Sequence, residues 1–322
     1  MRVVVLSGGR SSEHEVSVRS GKSVAEGLAG AGHDVLPVRI ERDGSWVADG
    51  SRLEVVPGGG LLEADAVFPV LHGPHGEDGT VQGTLECLDV PYVGAGVLAS
   101  AICIDKLTFK RLLAYHAVPQ VPFCAVGEAG WREIAASFGV PLWVKPSRLG
   151  SSVGISKVTS PESELNEAVE RARRHDPRVI IEASASGKEV ECSVLGNDDP
   201  ETSVPGEIVA HADWYDYEAK YSEGGMDLVV PARADTATLD TVRELAARVF
   251  TLTGCSGFAR CDFFVTEENE VLVNELNTIP GFTETSVFGR LFEASGIAYP
   301  ELCDRLVRLG VERHEREREF EF

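Results

Sequence analysis

The chain has no apolar run that approaches the ~18 residues a membrane-spanning helix needs. Its N-terminal apolar run reaches from Val3 to Ser7 at most. That is too short for the core of a signal peptide and suits a first β-strand. The seven cysteines contain no CxxC pair and no His/Cys cluster at zinc spacing. A disulfide scaffold or a structural zinc is therefore not expected, and a reducing cytoplasm is the natural location. Basic charge is also scarce. Thirty Lys and Arg against 51 Asp and Glu leave a formal charge of −21, which argues against sequence-independent nucleic-acid binding. Any phosphate ligand would meet a repulsive field, so cations must be gathered locally to receive it. Internal repeats and low-complexity segments are lacking too.

What remains is ordinary globular material, with 322 residues and a mean hydropathy near zero. The length accommodates two or three domains. Strand and helix alternate through the first hundred residues. Arg2–Leu6, Val35–Ile40 and Ala64–Leu71 read as strands, with helices from about Glu15 to Gly30 and from Gly79 to Leu88. This is βαβ material and predicts a parallel sheet. Leu98–His116 reads as one amphipathic helix carrying Asp105 and Lys106. About 98–185 reads as a small α+β unit. A β-rich unit follows, with strands near 188–195, 206–210 and 227–230. The connection 211–225 exceeds ~12 residues, a length that is usually functional. The charge-alternating tail from Glu312 reads as a frayed helical extension without a catalytic role.

The densest chemistry lies near the C-terminus. Gly257–Val265 and Val271–Asn277 flank Thr266-Glu267-Glu268-Asn269 and predict a hairpin. Side chains two apart on a strand share a face. Arg260 and Asp262 therefore point one way, and so do Glu275 and Asn277. Hard oxygen donors of this kind suit Mg²⁺, which is usually held by one or two carboxylates plus substrate phosphates. Cys261 should point to the opposite face.

Other segments add to this. Lys145-Pro146-Ser147-Arg148-Leu149-Gly150-Ser151-Ser152 joins two predicted strands, and its Gly and Ser residues let backbone N–H groups approach phosphate oxygens. It is not a Walker loop, because no GxxxxGK[ST] occurs. Gly8 and Gly9 precede a helix start, where anions are favoured. Glu13, just ahead of that helix, is placed to reach a cationic group. His72-Gly73-Pro74-His75-Gly76-Glu77-Asp78-Gly79 follows a buried strand, at the kind of strand end where ligands gather. Tyr215, Tyr217 and Tyr221 crowd the long connection and suggest a closing lid.

Taken in order, GGRSSEHEVS, HGPHGEDGTVQG, DKLTFK, KPSRLGSSVGISKV, YDYEAKY, GFARCDFF and NELNTIPGF resemble the D-alanine–D-alanine ligases of the ATP-grasp superfamily. The resemblance extends from Arg2 to about Leu309. It implies an α/β protein of three domains: an N-terminal parallel, Rossmann-like unit (1–97) and two α+β units (98–185 and 186–322) that sandwich ATP. It implies ATP contacts from Lys106, Lys145, Glu182, Glu189 and Lys220, and two Mg²⁺ (or Mn²⁺) ions on Asp262, Glu275 and Asn277. Glu13 would take the ammonium of the first D-alanine, in a network with Ser151 and Tyr221, and His72 would lie nearby. Arg260 and the backbone of Gly281 would stabilise an oxyanion. Ser286 and Val287 would hold the carboxylate of the second D-alanine. A cytoplasmic homodimer acting on small molecules, with neither nucleic acid nor membrane as partner, completes the expectation.

Two stretches depart from the family pattern. Ala183-Ser184-Ala185 is smaller than the bulky run usual there, and Ser286-Val287-Phe288-Gly289 differs beside the second subsite. A D-alanyl-D-lactate or other D-Ala-D-X ligase is thus the nearest rival, although Tyr221 favours the dipeptide. A non-catalytic ATP-binding regulatory protein is the rival of a different class.

Overall fold

The computed structural model describes residues 1–150, 153–210, 226–283 and 285–321. Its first sheet begins with β1 (Arg2–Gly8), whose Val3, Val4, Val5 and Leu6 are all buried. Such a run suits a strand covered on both faces. β1 pairs in parallel with β2 (Asp34–Ile40) and β5 (Ala66–Pro69). The helix α1 (His14–Gly30) makes the crossover. The parallel centre was expected. The sheet also carries an antiparallel edge of two short strands, β3 (Trp46–Ala48) and β4 (Ser51–Arg52), giving the order β4-β3-β2-β1-β5. These two are too short to show a period in the sequence. α2 (Thr80–Leu88) follows the loop that begins at His72.

The long helix expected over 98–116 is two helices, α3 (Val97–Ile104) and α4 (Lys106–Tyr115). Asp105 is the break. Its backbone is extended, and its carboxylate accepts from Thr108 N at 3.1 Å, so it is a helix N-cap. The same carboxylate accepts from Ser147 Oγ at 2.7 Å and pairs with Arg178. The cap therefore fixes Lys106 at the first position of α4, pointed at the loop after Lys145.

The second sheet is antiparallel, in the order β6-β9-β7-β8: β6 (Phe123–Ala125), β7 (Leu142–Pro146), β8 (Ser156–Val158) and β9 (Val179–Ala183). Helices α5 (Trp131–Ser137) and α6 (Pro161–Arg173) cover one face. The third sheet is built on β10 (Lys188–Gly196), with β11 (Glu201–Thr202), β12 (Gly206–Ala210), β13 (Met226–Val229), β14 (Gly257–Val265) and β15 (Val271–Asn277), all antiparallel. α7 (Thr236–Leu252) packs behind it, together with residues of α3 and α4.

The chain ends in α8 (Val287–Ala294) and α9 (Tyr299–Glu317). Leu302, Cys303, Leu306 and Val307 of α9 enter one core with Val24 and Leu28 of α1, Val3 and Val5 of β1, and four phenylalanines of the third unit. The tail is not frayed where the sequence suggested it. The helix runs on to Glu317, and Arg313 is only 4% exposed. Its guanidinium stacks on Tyr92 at 4.1 Å from the ring centroid and donates to the Tyr92 hydroxyl at 3.2 Å. Gly310 permits this approach, since a Cβ there would fall 2.6 Å from the Tyr92 carbonyl oxygen.

Candidate active site between the second and third sheets

The hairpin forms in the expected register. Arg260 lies opposite Asn277, and Asp262 lies opposite Glu275. Directly opposed residues of an antiparallel pair share a face, so all four converge. A bulge follows at once: Phe263 pairs with Val273, which leaves Asn274 as the additional residue. Bulges commonly re-aim side chains next to active sites. Cys261 faces the other way and is fully buried in the core.

Arg260 makes a two-toothed contact with Asp262, with Nε and an Nη each donating at 2.7 Å. Glu191 of the adjacent strand β10 lies 2.9 Å from Nε. Burial alone would lower the guanidinium pKa, but Asp262 and Glu191 outweigh it and push the value above the usual one. Asn277 accepts from Ile279 N at 3.0 Å, which fixes the chain as it leaves β15. Among the described residues no three His, Cys, Asp or Glu side chains form a metal-holding group. Two facing carboxylates and an amide are a hard-oxygen set that fits Mg²⁺ when phosphate supplies further ligands.

Helix α4 and strand β7 supply the cations. Lys106 Nζ donates to Leu149 O at 2.8 Å and lies 3.6 Å from Glu275, so it bridges the two sheets. Lys145 pairs with Glu182, whose other oxygen lies 3.1 Å from Lys110 Nζ. Burial would raise the Glu182 pKa, yet the two lysines lower it to about 2. Burial opposes the Lys145 charge as well, and Glu182 overcomes it and raises the lysine pKa. Lys106, Lys145, Glu182, Asp262 and Glu275 border a cavity of about 270 Å³, whose wall also includes Gly150, Ala183, Ser184, Ala185, Glu189 and Glu191. The Glu182 side chain is thus committed to lysines. The backbone of 182–185 and the exposed Glu189 form the remainder of that rim.

A second group of residues adjoins this cavity. Glu13 stands at the N-cap of α1 without capping it and is 6% exposed. Gly73 has φ +72°, and a Cβ there would fall 2.6 Å from Glu13 Oε2. A Cβ on Gly150 would lie 4.0 Å from the same oxygen, so the Gly/Ser loop and the loop after β5 meet at Glu13. Glu77 accepts from Gly73 N at 2.5 Å. Burial first, and the Glu13 charge second, push its carboxyl up to about 8.

His72 is held at both ring nitrogens. Nδ1 is 3.0 Å from Ile279 O, which can only accept, so Nδ1 carries the proton. Nε2 then accepts from Ser20 Oγ at 3.3 Å, and Ser20 Oγ accepts from Phe282 N at 3.4 Å. Burial lowers the His72 pKa despite the opposing effect of Glu13. His72 is therefore a neutral tie between the first sheet and the segment that carries Gly281. Ser286 closes that segment, accepting from Thr283 N at 3.0 Å. The Val287 side chain is buried against Ile208 and Leu291, which leaves its backbone as the part at the helix start.

Ser151, Lys220 and Tyr221, and the whole suggested lid 211–225, lie outside the described residues. The remaining candidate side chains fall into these two adjoining groups. Lys110, Glu77, Glu191 and Ser20 were not singled out from the sequence. Only Lys110 had a usable signal, since it stands one helical turn after Lys106 in DKLTFK.

Residues 112–308 match the family described as D-ala D-ala ligase C-terminus, and residues 2–63 and 57–95 match D-ala D-ala ligase N-terminus. A D-alanine–D-alanine ligase of Deinococcus radiodurans is 45% identical, covering 97% of this chain and 98% of its own. One from Halothermothrix orenii is 42% identical with the same coverage. Among solved structures, the D-alanine-D-alanine ligase of Coxiella burnetii superposes with a TM-score of 0.89 at 34% identity, covering 99% of this chain and 96% of that one. VanG D-Ala:D-Ser ligase of Enterococcus faecalis gives 0.87 at 34%, covering 96% and 99%.

Proposed function

The chain belongs to the D-alanine–D-alanine ligase family, and from that premise we propose that it joins two D-alanine molecules with consumption of ATP, through a D-alanyl phosphate, for peptidoglycan precursor synthesis. One observation carries the reading. Helix α4, strand β7 and the β14–β15 hairpin hold Lys106, Lys145, Asp262 and Glu275 around a single cavity, with Arg260 paired to Asp262 and Glu13 beside the adjoining loop.

A carboxylate does not react with an amine at neutral pH, so the first D-alanine must be activated. ATP lies with its phosphates toward Lys106 and Lys145, its adenine against the backbone from Glu182 to Ala185, and its ribose toward Glu189. Asp262, Glu275 and Asn277 would hold Mg²⁺, which neutralises phosphate charge. The set suits that task because two carboxylates cannot complete a hard-ion shell without phosphate oxygens. Phosphoryl transfer is mostly a matter of positioning and charge clamping. Glu13 fixes the ammonium of the first D-alanine, in the network with Ser151 and Tyr221 that the family resemblance implies. The carboxylate of that D-alanine attacks the γ-phosphorus of ATP, the bond to the β–γ bridging oxygen breaks, and ADP is the leaving group.

The second D-alanine then attacks the acyl carbon with its free amine and phosphate leaves. Arg260 and the N–H of Gly281 face the developing oxyanion. Ser286 and the N-terminus of α8 receive the second carboxylate, as helix starts favour anions. The family resemblance assigns Lys220 to a phosphate contact and residues 211–225 to keeping water from the acylphosphate. His72 acts through position, since both its nitrogens are engaged. Units 1–97, 98–185 and 186–322 divide this work as substrate, nucleotide and metal domains. A cytoplasmic homodimer, as the family resemblance implies, completes the reading, and the seven free cysteines suit a reducing location.

D-serine is the acceptor to exclude, because a D-Ala:D-Ser ligase matches the fold at the same 34% identity as a D-alanine-D-alanine ligase. The test is phosphate release with ATP and Mg²⁺, with D-alanine, D-serine and D-lactate offered together from about pH 6 to 9 and products weighed. Release that depends strictly on D-alanine and yields the dipeptide is expected. Nucleotide binding without turnover would indicate a regulatory protein instead.

A further inference from the structure

Lys110 has no place in the chemistry above, yet it is among the most buried charges of the chain. Its side chain is 1% exposed and does not border the cavity. Its ammonium lies 3.1 Å from Glu182 Oε1 and 5.8 Å from the Phe123 ring centroid, with the Val121 carbonyl at 3.5 Å. Glu182 is itself 2% exposed, and its second oxygen holds Lys145. One buried carboxylate thus serves two lysines. They differ in one respect: Lys145 borders the cavity, whereas Lys110 is sealed behind it.

A buried carboxylate needs a cationic partner, and removing one member of a buried pair is far more damaging than replacing both. That rule creates a conflict at Lys145. Its ammonium cannot turn fully to a phosphate while it is the sole counter-charge of Glu182. We propose that Lys110 is the fixed counter-ion of Glu182 that frees Lys145 to exchange its carboxylate for the phosphates of ATP. Lys110 is then a positioning residue. It touches no substrate and acts on nucleotide affinity through Glu182 and Lys145. This inference rests on the assignment of ATP to the cavity beside Lys145.

The test compares ATP dissociation constants, in the presence of Mg²⁺, for the wild type and for Lys110→Met, Glu182→Gln and the double variant, with thermal melts alongside. Lys110→Met should weaken ATP binding by about tenfold or more, because Lys145 becomes the only partner of a buried charge. Adding Glu182→Gln should restore most of that loss, which a merely misfolded variant would not show. Should Lys110→Met fail to fold, the double variant compared with Glu182→Gln alone decides the matter. With the carboxylate neutral, the identity of residue 110 should shift ATP affinity by less than about threefold. A tenfold penalty that persists in the Glu182→Gln background, or wild-type affinity in folded Lys110→Met, overturns the counter-ion role while leaving the ligase reading intact. A wild-type protein that binds no ATP overturns both.

Discussion

Glu13 and Glu77 both close on Gly73, and at this scale the question is which of them carries charge. Glu77 accepts the Gly73 N–H, but burial and the neighbouring Glu13 push its pKa up to about 8. At pH 7 it is mostly neutral, so it adds no second negative charge where the substrate ammonium is to bind. The unfolded value is near the ordinary 4.3. The native state therefore holds an extra proton between about pH 4.3 and 8. The contribution is fully present below the unfolded pKa and is lost as pH climbs through 8. Glu77→Gln removes the titration, so its melting temperature should fall less than that of the wild type between pH 5 and 8.5. Parallel pH profiles for the two would show that Glu77 is not the group involved. Glu275 makes a contrasting case. It is one-third exposed in side-chain terms and faces the cavity. Glu275→Ala should abolish phosphate release with D-alanine while the melting curve stays close to wild type. Retained turnover would remove Glu275 from the metal set.

At the scale of elements, the β14–β15 hairpin and the α3–α4 corner mark what could and could not be read from sequence. The hairpin was legible because strand alternation is local: Arg260 and Asp262 sit two apart, as do Glu275 and Asn277, and a polar turn fixes the pairing. The corner was not, because an apolar helical period runs across Asp105 without a glycine or proline to mark a break. What ends α3 there is a non-local demand, since the Asp105 carboxylate also serves Ser147, just after β7, and Arg178, just before β9. The short strands β3, β4 and β6 were lost for the opposite reason, having too few residues to show a period. Asp105→Ala should therefore do more than remove a cap. Losing the cap costs about 0.5–2 kcal/mol, and the release of Lys106 from its fixed helix start should raise the KM for ATP. A variant with lowered stability but unchanged KM for ATP would confine Asp105 to a capping role.

Over the whole molecule, α9 decides how the ends of the chain are joined. A pattern of alternating charge gave no hint that Arg313 would be buried, because its partner, Tyr92, lies 221 residues away. The aromatic face, the Tyr92 hydroxyl and carbonyl, and carboxylates at 3.6 and 3.8 Å on Glu317 and Glu86 engage the guanidinium plane and both Nη nitrogens, while Nε is buried without a hydrogen-bond partner among the described residues. Burial in turn raises the Tyr92 pKa, so its phenol stays neutral through the physiological range. The core beneath mixes α9 and α1 with Phe258, Phe282, Phe288 and Phe292, which places the Gly281 segment on the same foundation as β1. A weakened α9 should thus loosen the oxyanion side of the site as well as the N-terminal sheet. Arg313→Ala removes a desolvated cation–π contact and leaves Tyr92 poorly covered. A loss of about 2 kcal/mol or more is expected, which corresponds to a drop of roughly 4 °C or more in melting temperature. Arg313→Lys keeps the charge but loses the planar stack, so it should fall between the alanine variant and wild type. Hydrogen exchange adds the positional readout: protection should drop both in β1 and around Phe282 in the alanine variant. An Arg313→Ala protein that melts with the wild type, or that loses protection only within the last turns of α9, would make the tail a passive extension after all.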